Sequence, residues 1–218
     1  MHFLSHYYLD RSQNNPLFTL GALIPDIAPG FTKTYNARIR NKTWSLNEPA
    51  DSVHRGILRH YELDAVFHGS LIFRECCSQA SIRLAEAGLD REKYRFWFLG
   101  HIVTEVMLDR QLILQNKGLI DEYYDLLSSV DTNKFNAYFY FNVSEEEKNK
   151  ILSNFIRFLD VRFLQYLTEI DGAAEGIVRT VHKVIGVAFT DEDRVRLITA
   201  LHNIESDIRY SSKKLLEI

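Results

Sequence analysis

His60, Asp64 and His68 recur at every fourth position of the chain, and so do His101, Glu105 and Asp109. An α-helix turns by about 100° per residue, so residues four apart differ by only about 40° and share a face. The first set then presents imidazole, carboxylate and imidazole on consecutive turns, and the second presents imidazole, carboxylate and carboxylate. These are the donor types of a divalent-metal site, and two such faces turned toward each other predict one pocket lined by all six side chains. Asp26 follows a proline that closes an apolar run, and His6 sits within Phe3-Leu4-Ser5-His6-Tyr7-Tyr8. A carboxylate among apolar neighbours is costly unless a metal or a cation compensates it. The expected metal donors are therefore His6, Asp26, His60, Asp64, Glu105 and Asp109, with His68 or His101 as the proton acceptor. A mixed nitrogen and oxygen set suits Mn²⁺, Fe²⁺ or Zn²⁺, and no cysteine stands where a thiolate site would need it.

Six of the eight histidines fall within the first 101 residues, which concentrates the chemistry there. His54 is rotated by about 120° from His60 on a helix and is expected in solvent. His182 and His202 lie on amphipathic stretches and read as surface residues, whereas Cys76-Cys77 reads as core.

The elements that must carry these residues are helices. Apolar residues recur at spacings of three and four, and Gly (10) and Pro (4) are scarce in 218 residues. Pro16 suits the first turn of a helix that Ile24-Pro25-Asp26 ends or kinks. Residues 28–50 show no sustained period and carry a basic cluster at Arg38, Arg40 and Lys42, which predicts a loop or lid. A long helix is expected from Asp51 or Ser52 to Ala87, stopped by Gly88, and a second from about Asp90, closed by Gly118. Ser144-Glu145-Glu146-Glu147 has the form of a capping box opening a helix over 145–169. Asp171-Gly172 reads as a break, a further helix spans 173–186, and Thr190 caps the last. The expectation is one all-α domain, a helical bundle over residues 1–218.

Composition excludes several classes. Hydrophobic residues at 46% and charged residues at 25% argue against disorder. A formal charge of −3 offers no broad cationic field for a nucleic-acid backbone. Adjacent cysteines provide no disulfide framework, and no window approaches about 18 uninterrupted apolar residues. The expectation is a cytoplasmic protein without stable membrane insertion. The nucleophile elbow, the P-loop, the dinucleotide fingerprint and the H-E-x-x-H zinc motif are all missing.

Met1-His2-Phe3-Leu4-Ser5-His6, Leu20-Gly21-Ala22-Leu23-Ile24-Pro25-Asp26 and Gly56-Ile57-Leu58-Arg59-His60-Tyr61-Glu62-Leu63-Asp64 follow one another in an order that resembles the acyl carrier protein phosphodiesterase family. Its members open M-N-F-L-A-H, continue G-N-x-x-x-D and then carry G-I-x-x-H-R-x-I-D. Glu105 to Asp109 is similar to that family's D-x-x-x-D segment, and Phe163-Leu164-Gln165-Tyr166 with Glu175-Gly176-Ile177 to its closing motifs. The resemblance implies an HD-like all-helical metal phosphohydrolase. Its expected activity is hydrolytic release of phosphopantetheine from holo-acyl carrier protein, with Mn²⁺ as the first metal and Zn²⁺ or Fe²⁺ as alternatives. It implies that Asp26, His60 and Asp64 are ligands or their close partners, and that His6 and Asp109 occupy motif positions. Departures fall at the same centre: His2 replaces an Asn, Glu105 an Asp, Arg110 a His, and Phe67-His68 a T-D pair. The segments ending at Asp26 and holding His101 and Glu105 also look like zinc-dependent phospholipase C.

The expected reaction is attack of a metal-activated water on a phosphoester, with acyl carrier protein or a small phosphoester as partner. Arg59 and Arg110 are the expected phosphate-binding residues, joined by the 38–42 cluster. The competing expectation is a non-catalytic helical binding module with a degraded metal site.

Overall fold

The computed structural model describes residues 3–31, 49–139 and 143–216, and among these it contains helices, turns and irregular segments but no strand. The protein is all-α, as the spacing of its apolar residues predicts. The loop expected over 28–50, with Arg38, Arg40 and Lys42, falls mostly outside the described residues, as does His2. No helix of the described residues is long and apolar enough to cross a membrane.

The chain divides into two compact units, one formed by residues up to Ser5, 65–119 and 164 onward, the other by 6–64 and 120–163. The second unit takes His6 from α1 (Phe3–Asp10), which enters it after Ser5, Asp26 from α2 (Pro16–Ile27), and His60 and Asp64 from α3 (Pro49–Gly69), whose residues beyond Asp64 belong to the other unit. Asn15 starts α2 by accepting from the amides of Leu17 (3.0 Å) and Phe18 (3.1 Å), while Pro16 fills a position whose amide needs no partner. Pro25 lies inside α2, which continues to Ile27, so the proline does not end the helix.

Glycine decides how α2 meets α3. A Cβ built on Gly21 would lie 2.0 Å from the Val53 carbonyl oxygen, and one on Gly56 would lie 2.1 Å from that of Phe18. Only residues without a side chain permit this backbone-to-backbone approach. The amphipathic α7 (Glu145–Val161) packs on α2 and on the short 3-10 segment Thr132–Tyr138, burying Ile151, Phe155 and Phe158. Helix α6 (Leu119–Ser128) contributes Tyr123 and Tyr124 to the same interior.

In the other unit α4 (Leu71–Glu86), α5 (Phe96–Gln115) and α9 (Asp191–Leu215) pack on one another, with α8 (Ile170–Ile185) against α5 and α9. The single long helix expected to reach Ala87 is two helices. Gly69 ends α3, and the Ser70 hydroxyl accepts from the Phe73 amide and starts α4. Helix α5 begins at Phe96, later than expected, because Asp90 caps a turn through the amides of Glu92 and Lys93, and Arg95 is left-handed at φ 46°. Likewise α7 ends at Val161, where Arg162 is left-handed, and residues 163–168 form a 3-10 turn. Asp171-Gly172 does not break the chain. Gly172 sits in the first turn of α8, where its missing side chain makes room for the Tyr166 carbonyl. Both expected caps, Ser144 with Glu147 and Thr190 with Asp193, are present as reciprocal capping boxes.

Candidate metal centres

Among the described residues, the expected ligands and proton acceptors fall into two groups. His6, Asp26 and His60 form one group and His68, His101 and Glu105 another, the ligand atoms of each group lying within 4.8 Å of one another. Asp109 belongs to neither.

In the first group the rings of His6 and His60 stack at 3.9 Å between centroids, 20° from parallel. The His60 Nδ1–H donates to the Ala22 carbonyl at 2.9 Å, which fixes the tautomer and leaves Nε2 to face Asp64 Oδ2 at 3.4 Å. His6 Nε2 faces Asp64 Oδ1 at 3.3 Å, so one carboxylate joins both imidazoles. His6 is only 3% exposed, and neither of its ring nitrogens makes a hydrogen bond of acceptable geometry. The Gly21–Gly56 crossing produces this arrangement: Ala22 follows Gly21 directly, His60 lies one turn beyond Gly56, and Asp26 lies near the end of the same α2.

The electrostatics follow from burial and proximity. Burial lowers the pKa of His6 and leaves it neutral near neutral pH, with His60 adding to the effect. At His60 burial acts the same way, but Asp64, Asp26 and the Ala22 carbonyl outweigh it and raise the pKa. Asp64 resists ionisation through burial, yet the two imidazoles hold it far below the usual carboxylate range.

A divalent transition ion fits this donor set. With metal–ligand bonds of about 2.0–2.1 Å, the ligand atoms of a tetrahedral site stand about 3.3 Å apart, close to the 3.3 Å from His6 Nε2 to Asp64 Oδ1 and the 3.4 Å from His60 Nε2 to the other oxygen, Oδ2. His60 also has the backbone-carbonyl partner on its other nitrogen that metal-bound histidines use.

In the second group His68 Nε2 lies 2.9 Å and His101 Nε2 lies 3.2 Å from the same Glu105 Oε1. Glu105 is buried, whereas the imidazoles are about one-third exposed. Burial opposes its ionisation, but hydrogen bonds with the two imidazoles help to hold the carboxyl well below its ordinary range. Phe73 packs against both rings at 5.0 Å. Gly100 lets α5 approach α4, since a Cβ there would stand 2.8 Å from the Cys77 carbonyl. Cys77 lines the adjoining cleft while Cys76 is buried, and burial pushes the Cys77 thiol up to about 11.

Three expectations need correction. Asp109 is fully buried and caps α1, accepting from the amides of Leu4 (3.1 Å) and Ser5 (2.8 Å) and from the Ser5 hydroxyl. It serves as a structural acceptor and stands in neither of the two clusters. Arg110 is buried and neither meets solvent nor offers itself to a phosphate. Its guanidinium donates to the Leu167 carbonyl at 2.7 Å, to that of Thr168, and to Glu205 at 3.1 Å. His54, expected in solvent, is 1% exposed. Arg59 remains partly exposed, with Nε on Asp10 at 2.9 Å and a second nitrogen 3.6 Å from Glu62. His182 and His202 are exposed, as expected.

Arg110→Ala is expected to lower stability by about 2 kcal/mol, because it strands two carbonyls and the Glu205 carboxylate that a cation satisfies. Chemical denaturation checks this, and an unchanged midpoint would return Arg110 to the substrate-binding residues.

Comparisons of the chain with protein-family models, with curated proteins and with solved structures found no match. The class defined by fold and geometry is an all-α protein with two His–carboxylate clusters of metal-ligating composition.

Proposed function

We propose that the protein is a metal-dependent phosphoric ester hydrolase of HD-like architecture, whose metal centre is held by His6, Asp26, His60 and Asp64. The observation that carries this reading is the convergence of three helices on one buried point, with an Asp64 carboxylate spanning two stacked imidazoles. Burying this many ionisable groups together is costly, and a divalent cation is the partner that compensates them best. When bound, the metal would supply an acidified water and polarise a phosphoryl oxygen.

The chain's own residues perform the remaining tasks. Asp64 stays ionised and orients both imidazoles. The Ala22 carbonyl holds the His60 proton on Nδ1, which keeps Nε2 turned inward. His6, neutral and shielded, fixes the ring stack from α1. Arg59, next to His60 and steadied by Asp10, is the cation this reading retains for the substrate phosphate. Mn²⁺ is the first candidate, then Zn²⁺ or Fe²⁺. The substrate class is a phosphodiester such as the phosphopantetheine arm of acyl carrier protein, or a small phosphoester.

The test is chelator stripping, reloading and assay against a phosphodiester panel, with metal measured by elemental analysis. His60→Ala and Asp64→Ala should each lose the ion of this centre and at least about 100-fold in turnover, while keeping helical circular dichroism. Less than about a tenth of an ion per chain after loading with Mn²⁺ or Zn²⁺ would leave a helical binding module as the better description.

A further inference from the structure

The geometry points to a second and separate metal site, formed by His68, His101 and Glu105, that takes a zinc-like transition ion with an open coordination position. His68 ends α3, whereas His101 and Glu105 stand one turn apart on α5. His68 occupies a position where the resembled phosphodiesterase family carries an acid, so neither likeness noted for the chain contains this trio.

Three observations carry the inference. First, both imidazoles aim Nε2 at one carboxylate oxygen, at 2.9 and 3.2 Å. These are close to the separations of about 3.3 Å expected between ligands of a tetrahedral ion with bonds of about 2.0–2.1 Å. Second, two nitrogens and one oxygen make the three-ligand set of an open zinc site, a composition that disfavours Mg²⁺ and Ca²⁺. Third, the imidazoles are not sealed into the core. Together with Phe73, Ser78 and Trp97 they line a cleft of about 410 Å³, which gives both the ion and a further ligand a way in. Glu105, buried beneath the two rings, is the anchor that makes the pair more than two surface histidines.

The packing around the trio restricts its motion. Phe73 lies edge-on to His101, and the His68 and His101 rings stand 4.8 Å apart. Thr104, the residue beside Glu105, donates its hydroxyl to the Gly100 carbonyl inside α5. Both Nε2 atoms face the Glu105 carboxylate, and an ion bound there would take each imidazole with its proton on Nδ1.

The test uses the full chain, stripped with chelator and dialysed against Zn²⁺ alone, with zinc counted by elemental analysis. Wild type should hold about two ions per chain, and His60→Ala and His101→Ala about one each. The double variant should hold less than about a tenth of an ion, and His68→Ala should match His101→Ala. Both imidazoles are partly exposed, so these variants should fold, and circular dichroism verifies it. Cys77→Ser should change nothing, which separates this site from a thiol in the same cleft. Co²⁺ added to His60→Ala should give the intense visible bands of a low-coordinate nitrogen and oxygen site, and His101→Ala in that background should abolish them. Wild-type zinc content in His101→Ala, or none in His60→Ala, would overturn the second site. Full retention of zinc in His60→Ala with loss in His101→Ala would instead overturn the buried centre and leave this one standing.

Discussion

Gly56→Ala is expected to destabilise the protein by about 3 kcal/mol and to cost the buried centre its metal. On helix propensity alone the sign would be opposite, because alanine in a helix interior is favoured over glycine by about 1 kcal/mol. Sterics decide it here. The new Cβ would lie 2.1 Å from the Phe18 carbonyl oxygen and 2.7 Å from the Ala22 nitrogen, both backbone atoms of α2 that cannot rotate aside. The helices must separate, and separation draws the Ala22 carbonyl away from His60 Nδ1 and Asp26 away from the ring stack. Gly176 in α8 is the internal control, since a Cβ there meets nothing within 4 Å. Gly176→Ala should raise stability by about 0.5–1 kcal/mol. If thermal and denaturant unfolding show the two substitutions acting alike, the close crossing is not what positions the buried centre.

Asp109→Ala is expected to cost about 3 kcal/mol, with the metal content of the folded fraction unchanged. The first-turn amides of a helix have no partner within it, and those of Leu4 and Ser5 are satisfied by the Asp109 carboxylate from α5. Removing the carboxylate leaves two buried donors and a buried hydroxyl unpaired, each worth about 1–3 kcal/mol when stranded. Asp109→Asn keeps an acceptor oxygen and should cost less than half as much. A stable Asp109→Ala protein that had lost its metal would restore Asp109 as a ligand, as the family resemblance implies. Equilibrium unfolding and elemental analysis on the same preparations separate these outcomes.

Helical class was legible in the sequence because it rests on local geometry. Apolar spacing of three and four, the Ser144 and Thr190 capping boxes, and the left-handed stop at Gly88 are decided within a few residues of chain. The interruption at Gly69-Ser70 was legible too, but a continuous apolar period across it masked a C-terminal glycine followed by an N-cap serine. The late start of α5 was not, because it depends on Arg95 adopting a left-handed conformation that its residue type disfavours.

The candidate sites divide along the same line. The pairs His60–Asp64 and His101–Glu105 meet at 3.4 and 3.2 Å because a helix brings any residues four apart together, whatever surrounds them. What joins each pair was invisible locally. His6 and Asp26 come to His60 through a crossing set by two glycines, and His68 leaves its own helix-face partners for Glu105 on α5. Asp109 and Arg110 have the residue types of a ligand and a phosphate clamp, yet one is consumed by the amides of α1 and the other by the carbonyls of residues 167 and 168. The amino-acid sequence by itself determined the helical class, the capped starts of α7 and α9 and the fourth-residue pairs, since local backbone geometry dictates them. Only the tertiary structure decided which pairs became centres and which charged groups became supports, because a buried polar atom takes whichever partner long-range packing brings within about 3 Å.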